Sequence, residues 1–312
     1  MNLIYMARPI YGGWVTFTAH LSIKNNYDIY KIGNRTEKNK RKYGYSVMYQ
    51  NLNIQDILKL KDIMITAIDK QYYQFLHLFP PKTKLVIHDP TELKTGKKRN
   101  PLIDDKLLER FDIYVIRKSV QEYIKKEFNI DTTFMPHPFF QYPESDKKCV
   151  YNYAVSISRI DFDKNTDIIL KANKLLPPEL QITIYGAENR LYVFHKLKEL
   201  EFNKYWKGRY EKTLPMLYKD QQILKSPSFM IDLSVIHNDG GGTQYTFLEA
   251  IYNNCVLILH NDWIKRDKLF IHNYNCFGVS NENEIKDILI KSYDPKYLEM
   301  IRINAINILI NH

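Results

Sequence analysis

Four short stretches between residues 154 and 259 put cations, glycines and a carboxylate at the ends of apolar runs. Ala154-Val155-Ser156-Ile157-Ser158 is followed at once by Arg159 and, after four more residues, by Lys164. Ile182-Thr183-Ile184 ends in Tyr185-Gly186. Gly240-Gly241-Gly242-Thr243 precedes a helical pattern that carries Glu249, and the apolar run Cys255 to Leu259 follows. A diphosphate needs fixed cations and open backbone N–H groups. Arg159 and Lys164 supply the first, and consecutive glycines before a helix start supply the second. A ribose needs an acceptor for its hydroxyl hydrogens, which the Glu249 carboxylate offers. The order therefore reads as a nucleotide-sugar site. Taken singly, the same residues also read as solvated charges, a flexible loop and a surface Glu, although Glu249 lies between Phe247-Leu248 and Ala250-Ile251.

Other candidates lie earlier in the chain. His88-Asp89 closes the apolar run Lys84-Leu85-Val86-Ile87. A His there can take or share a proton near neutral pH, and an Asp can orient it or accept from a substrate hydroxyl. Gly12-Gly13 follows the first apolar run and precedes a helical pattern, a usual place for backbone to approach a ligand. The full dinucleotide fingerprint is missing, so no nicotinamide cofactor is inferred. Asp161-Phe162-Asp163 resembles a metal-binding pair, but a calcium loop would need Gly where Thr166 stands and Glu where Ala172 stands. No metal is expected. Two basic segments, with Lys40, Arg41 and Lys42 in one and Lys97, Lys98 and Arg99 in the other, each follow a predicted strand. Loops of this kind hold a phosphate backbone, and Tyr43, Tyr45 and Tyr49 beside the first can stack on bases. Solvated Lys-rich loops are the plainer alternative.

Positioning these residues takes strands that alternate with helices. Strands are predicted at Leu3–Met6, Tyr27–Lys31, Tyr45–Tyr49, Ile63–Thr66, Lys84–His88 and Ile113–Ile116. Helices are predicted at Val15–Lys24, Ile54–Lys59, Lys70–Leu78, Lys106–Arg110 and Val120–Phe128, the last capped by Ser119. Pro136-His137-Pro138 breaks the pattern, and Gln141–Lys148 reads as a linker. Alternation restarts with strands at Ala154–Ser158, Gln181–Tyr185, Tyr205–Trp206, Phe229–Leu233 and Cys255–Leu259. The helices of this part are Asp167–Leu176, Leu191–Phe202, Leu214–Leu224, Tyr245–Asn253 and Glu284–Lys291. The fold class is α/β, with two doubly wound Rossmann-like domains facing a cleft. Residues 1–142 form an acceptor-binding domain and 150–294 a nucleotide-sugar domain. Residues 295–312 form a helix that packs back across the junction.

Composition sets the outer bounds. The 312 residues are 45% hydrophobic and 26% charged, as expected of a packed globular protein and not a disordered one. No apolar run approaches the ~18 residues of a membrane span, and the N-terminus reads as a first strand, not a leader. Three cysteines without metal spacing fit a reducing compartment, hence a cytoplasmic protein, in a host cell if viral. The net charge of +10 fits an anionic partner, though solubility alone also explains it.

With these residues in view, the second half resembles the retaining glycosyltransferases of the GT-B fold. In that family an Arg-x4-Lys pair binds the diphosphate, matched by Arg159 and Lys164. Its Tyr-Gly turn is matched by Tyr185-Gly186. Its Glu-x7-Glu signature is matched only at the second acid, Glu249, with Gly241 at the first. Met6-Ala7-Arg8, the following glycine loop, Val15-Thr16, His88-Asp89 and Tyr245-Thr246-Phe247-Leu248-Glu249 are similar to the T-even phage DNA α-glucosyltransferases. The resemblance implies a hexosyl- or pentosyltransferase that uses a UDP-sugar without metal and modifies hydroxymethylcytosine in duplex DNA. Arg159, Lys164, Tyr185, Gly186, Gly241, Gly242, Thr243 and Glu249 would hold the donor, with Gly12 and Gly13 opposite. His88 and Asp89 would face the acceptor. Two alternatives remain open: a glycosyltransferase acting on a glycan, lipid or protein, and a non-catalytic DNA-binding protein on the same frame.

Overall fold

The computed structural model describes the chain except residues 9–11, 33–40, 44–46, 96–97, 142–149, 209–222, 225 and 237–239. For residues 41–43, 47–48, 95 and 150–152 only the backbone is described. Two compact units result, Met1–Phe140 and Gln141–His312. The predicted linker Gln141–Lys148 falls almost wholly outside the described residues.

Apolar runs in the first unit build an eight-stranded sheet. The strands lie in the order Thr133–Phe134, Phe111–Val115, Thr83–Ile87, Ile63–Ile68, Asn2–Met6, Asp28–Ile32, Val47–Leu52 and Arg41–Tyr43. Every pairing is parallel except the last, where Arg41–Tyr43 runs antiparallel to Val47–Leu52. The central strand Ile63–Ile68 is buried along its whole length, as a parallel strand covered on both faces must be. Ile4, Ile65, Leu85, Ile87, Ile113 and Val115 belong to one core cluster. All the predicted strands of this half are present with edges shifted by a few residues. Lys70–Leu78 is a 3-10 helix, and the helix after Phe111–Val115 starts at Lys118. Ser119 is therefore inside that helix and does not cap it; Arg117 holds the cap position without a side-chain capping bond.

The first long helix, Gly13–Asn25, buries His20. Its Nδ1 accepts the Phe140 N–H at 2.8 Å, and its ring stacks on Phe139 at 5.0 Å. Burial, reinforced by Lys24, lowers the His20 pKa to about 3. A neutral ring thus ties the last residues of the unit to its first helix.

The second unit has a five-stranded parallel sheet in the order Thr183–Tyr185, Val150–Ile157, Pro227–Asp232, Val256–His260, Phe277–Val279. The predicted helix Leu191–Phe202 is broken into an α turn at Arg190–Tyr192, a π segment at Val193–Leu197 and a 3-10 turn at Lys198–Leu200. The chain turns left-handed at Glu201 before Phe202–Tyr205. The predicted strand Tyr205–Trp206 reduces to one bridge between Ile184 and Trp206. Residues 214–224 lie almost wholly outside the described ones. Helix Pro295–Leu309 packs on Tyr245–Tyr252 and Val256–His260, within the second unit. No helix among the described residues is long and apolar enough to cross a membrane.

Two turns at the carboxyl ends of the second sheet are zipped together. Ser158 N–H donates to the Tyr185 carbonyl at 3.2 Å and Ile160 N–H to the Ala187 carbonyl at 2.9 Å. Gly186, at φ 148°, makes this approach possible, because a Cβ there would overlap the Ser158 carbonyl oxygen. The Trp206 indole N–H donates to the Gly186 carbonyl at 2.9 Å.

Gly186→Ala should therefore destabilise the chain by about 1–3 kcal/mol, a loss of several degrees in thermal midpoint. Gly13→Ala, where an added Cβ meets nothing within 4 Å, should leave the midpoint nearly unchanged. Calorimetric scans of the two variants check the contrast. The His20 site gives a pH prediction. Its folded-state pKa is below the ordinary 6.5, so between about pH 3 and 6.5 the unfolded chain holds a proton the native chain lacks. This contribution to stability is complete above pH 6.5 and is lost as pH falls. Replacing His20 by Gln should flatten the slope of stability against pH by up to about 1.4 kcal/mol per unit in that window, measurable by urea unfolding at several pH values.

Candidate functional site

The carboxyl ends of the strands in the second unit gather most of the predicted donor residues. Lys164 sits in the turn between Val150–Ile157 and the helix Thr166–Leu175, and it is buried. Its Nζ donates to Ser234 Oγ at 2.6 Å and to Gln244 Oε1 at 3.3 Å. An ammonium carries three N–H groups, and two of them have partners among the described residues. The Ser234 hydroxyl in turn donates to Asp232 Oδ1, which also accepts the Ser234 N–H at 2.9 Å. Gln244 Nε2 donates to Ser234 Oγ at 3.2 Å. Asp232 is buried at the end of its strand, and its Oδ2 has no hydrogen-bond partner among the described residues.

The backbone holds this arrangement in register. Asn165, left-handed at φ 47°, donates its amide to the Leu233 carbonyl at 2.9 Å. Val235 N–H donates to the Asp163 carbonyl at 2.8 Å. The turn of Lys164 is thereby laid against the exit of the neighbouring strand.

Arg159 behaves differently. It is well exposed, and its guanidinium meets Asp161 at 3.4 Å and Asp163 at 3.2 Å. The Asp-x-Asp pair therefore answers this arginine. Asp161 also accepts from the Asn189 amide at 2.9 Å. Exposed pairs of this kind are worth ~0–1 kcal/mol, so a bound anion can displace them. Among the described residues no group of three or more His, Cys, Asp or Glu side chains could hold a metal.

The glycine run is set by its neighbours. Gly240, Gly241 and Gly242 all have positive φ. A Cβ on Gly240 would press on the Trp263 ring, and one on Gly241 would lie 3.2 Å from Arg266 Cβ and from Asp267 Oδ2. Trp263 Nε1 donates to the Gly242 carbonyl at 3.1 Å. Thr243 is buried, and Gln244 takes the cap position of helix Tyr245–Tyr252 while its side chain serves Lys164. Glu249 is buried on this helix, one turn beyond Tyr245. Burial, and then the charge of Glu249, raises the Tyr245 phenol well above its ordinary value. Tyr185 is partly buried at the end of its strand, its phenol raised by burial and then by Tyr153.

The acceptor candidates meet in the first unit. His88 is buried, and its Nε2 lies 2.7 Å from the Thr66 carbonyl, so that nitrogen carries the proton and Nδ1 keeps the lone pair. Burial lowers its pKa to about 4, with Arg117 acting the same way against the opposing Thr66 bond and Asp89 charge. Asp89 is partly exposed and accepts the Thr91 N–H at 2.7 Å. Of the pair, the carboxylate is thus the more accessible group. Gly12 and Gly13 are exposed, Gly12 at φ 97°, and a Cβ on either would meet open space. Glu92, four residues past His88, joins the two sets: its Oε1 accepts from Trp14 Nε1 at 3.1 Å and its Oε2 from His88 N–H at 3.2 Å.

The predicted basic segments are only partly described. Lys40 and Lys97 lie outside the described residues, and Arg41 and Lys42 are described in backbone alone. Lys98 is exposed in a short hairpin with Lys94–Thr95. Arg99 lies over the Phe128 ring at 4.1 Å and pairs with Asp105 at 2.9 Å, and Lys94 lies over Tyr123 at 4.2 Å. Two of the cations are therefore docked on the helix Lys118–Phe128.

Sequence reasoning did not single out Asp232, Ser234, Gln244, Trp14 or Glu92. Polar residues at and just beyond the end of the buried run Pro227–Asp232 were a usable signal for the first two. Nothing local marks Glu92, whose bond to Trp14 spans 78 residues.

No family model matches the chain, and no curated protein matches its sequence. Solved structures do resemble it. One is an α-glucosyltransferase in complex with UDP and a 13-mer DNA containing an HMU base, at 16% identity, covering 100% of this chain and 95% of that one, with a TM-score of 0.71. Another is Anabaena Alr3699/HepE in complex with UDP and glucose, at 13% identity, 99% and 94% coverage and a TM-score of 0.65. The pneumococcal O-GlcNAc transferase GtfA, in complex with UDP and GlcNAc, is similar at 15% identity over 89% of this chain and 60% of that one, with a TM-score of 0.52. The fold of this chain, two parallel α/β units in series, is the GT-B fold of these glycosyltransferases.

Proposed function

We propose that this chain is a glycosyltransferase that moves a sugar from a UDP-sugar to an acceptor hydroxyl, with retention at the anomeric carbon. The observation that carries the reading is Lys164, a buried ammonium that among the described residues meets two neutral oxygens and keeps a third N–H for a ligand, where the glycine run enters its helix. A diphosphate placed there meets that N–H and the backbone of Gly240–Thr243. Arg159, released from its carboxylates, supplies a second cation, and Glu249 receives the ribose hydroxyls. As the sugar–phosphate bond breaks, charge gathers on the leaving diphosphate, which fixed donors stabilise better than water does. No metal is needed in this reading, because cationic side chains do the neutralising.

The proposed acceptor is hydroxymethylcytosine in duplex DNA, as in phage-type DNA modification. Support comes from the full-length likeness to an α-glucosyltransferase solved with UDP and modified DNA, and from the basic hairpin. A base must leave the stack to reach such a site, which costs a few kcal/mol and is offset by backbone contacts. Asp89, held by its own turn, would orient the hydroxyl. A different acceptor, a glycan or protein, is favoured by one observation: Arg99 and Lys94 are already engaged by aromatic rings and Asp105.

Lys164→Ala should remove one charge-assisted contact, about 1.5–3 kcal/mol, lowering transfer ten- to a hundredfold. Glu249→Ala should mainly weaken nucleotide binding. Calorimetry with UDP checks both, and unchanged affinity in each variant would place the donor elsewhere. For the acceptor, Lys98→Ala should weaken binding to any DNA and reduce the log–log salt slope by up to ~0.9, while UDP affinity stays the same. A parent protein that binds no duplex DNA at low salt would move the acceptor to the glycan or protein class.

A further inference from the structure

The carboxyl of Glu92 is the least expected group in the first unit. It is buried, and it contacts two elements that are far apart in sequence: the Trp14 indole at 3.1 Å and the His88 amide at 3.2 Å. Its own backbone is fixed as well, since Tyr73 OH donates to its carbonyl and its N–H donates to the Asp89 carbonyl at 3.1 Å. Arg117 approaches from another side, donating to the His88 carbonyl at 3.2 Å.

Two N–H donors converge on the two oxygens of one side chain. Only a carboxyl offers both acceptors; an amide offers one. Burying such a group without an ion-pair partner is costly, and an apolar side chain would serve stability better. The gain lies in geometry. Trp14 is the second residue of the helix that begins at the open Gly12-Gly13 turn, and its ring lies 6.4 Å from the His88 ring. Phe17, one turn further along the same helix, meets the His88 ring edge-on at 4.8 Å. Breaking the carboxyl bridge would remove the hydrogen-bonded link between the glycine turn and the His88-Asp89 turn, which belong to different strand ends.

We infer that Glu92 is a positioning residue that fixes Gly12-Gly13-Trp14 and His88-Asp89 as one rigid edge against which the acceptor is held. The role of the edge rests on the proposed glycosyl transfer; the bridge itself does not. Glu92 acts through Trp14 and His88 and touches no reacting atom.

The experiment compares the full-length parent with Glu92→Gln and Trp14→Phe, using UDP-glucose and hydroxymethylated duplex DNA. Hydrogen exchange should quicken together at the start of helix Gly13–Asn25 and at His88 in Glu92→Gln, with the central strands unchanged. The ratio of glucose transferred to glucose released by hydrolysis should fall at least tenfold in both variants, with UDP affinity and hydrolysis held. The double variant should fall no further. Equal losses of transfer and hydrolysis, or exchange that quickens across the whole unit, would reduce Glu92 to an ordinary structural residue and overturn the inference. A parent that binds UDP but transfers nothing to this DNA would overturn the acceptor assignment alone. The paired exchange at both segments would then uphold or overturn the bridge.

Discussion

An ammonium group withdrawn from water has to be answered by oxygen, and the way Lys164 is answered organises the second unit. Ser234 stands just past the strand Pro227–Asp232, and Gln244 opens the helix Tyr245–Tyr252. Because each has to reach the same nitrogen, three turns from three parts of the chain are held at one place. Asp232, through Ser234, supplies negative charge behind the lysine without contacting it directly. The neighbouring turns follow from this constraint. Asn165 goes left-handed to reach Leu233, and Gly186 stays free of a side chain so that its turn can lie on Ser158. A parallel sheet delivers all of these turns to its carboxyl edge, and the lysine decides how closely they come together.

The departure at Gly241 has a steric side as well as a chemical one. The resemblance would have an acid there. In this chain Arg266 and Asp267 come so close that a side chain at position 241 would have to displace them, and the backbone at φ 78° disfavours one anyway. The residues after Trp263 and the glycine run are thus matched to each other: Trp263 packs on Gly240 and bonds Gly242. A small residue at 241 leaves room for Arg266 and Asp267 beside it.

Much of the fold was legible because parallel strands buried on both faces leave long apolar runs, as in Ile63–Ile68 and Val256–His260. Hydrophobic periodicity was less informative where local geometry is irregular. Leu191–Phe202 looks helical in pattern, yet it changes helix type twice and turns left-handed at Glu201. Phe277–Val279, a three-residue strand, is too short to show a period. In the site, Lys164 and Glu249 were legible because a charge set among apolar neighbours is conspicuous. Glu92 and Gln244 were not, because their roles depend on partners dozens of residues away. Arg99 shows the opposite limit. A lysine- and arginine-rich segment looks free in sequence, but folding brings an aromatic ring and a carboxylate beside this one, Phe128 and Asp105.

The pairing of Arg159 with Asp161 and Asp163 has a consequence for selectivity in a crowded cell. A net charge of +10 favours anions near the chain through long-range attraction. Yet the turn that holds Arg159 carries its own counterions, so to a lone phosphate or a passing nucleic-acid backbone it is close to neutral. In the proposed donor reading, an anion that also engages the buried lysine and the glycine backbone gains more by displacing those two carboxylates than a lone phosphate does. In that reading the turn discriminates between isolated charges and a chelating one, although the protein as a whole is strongly basic.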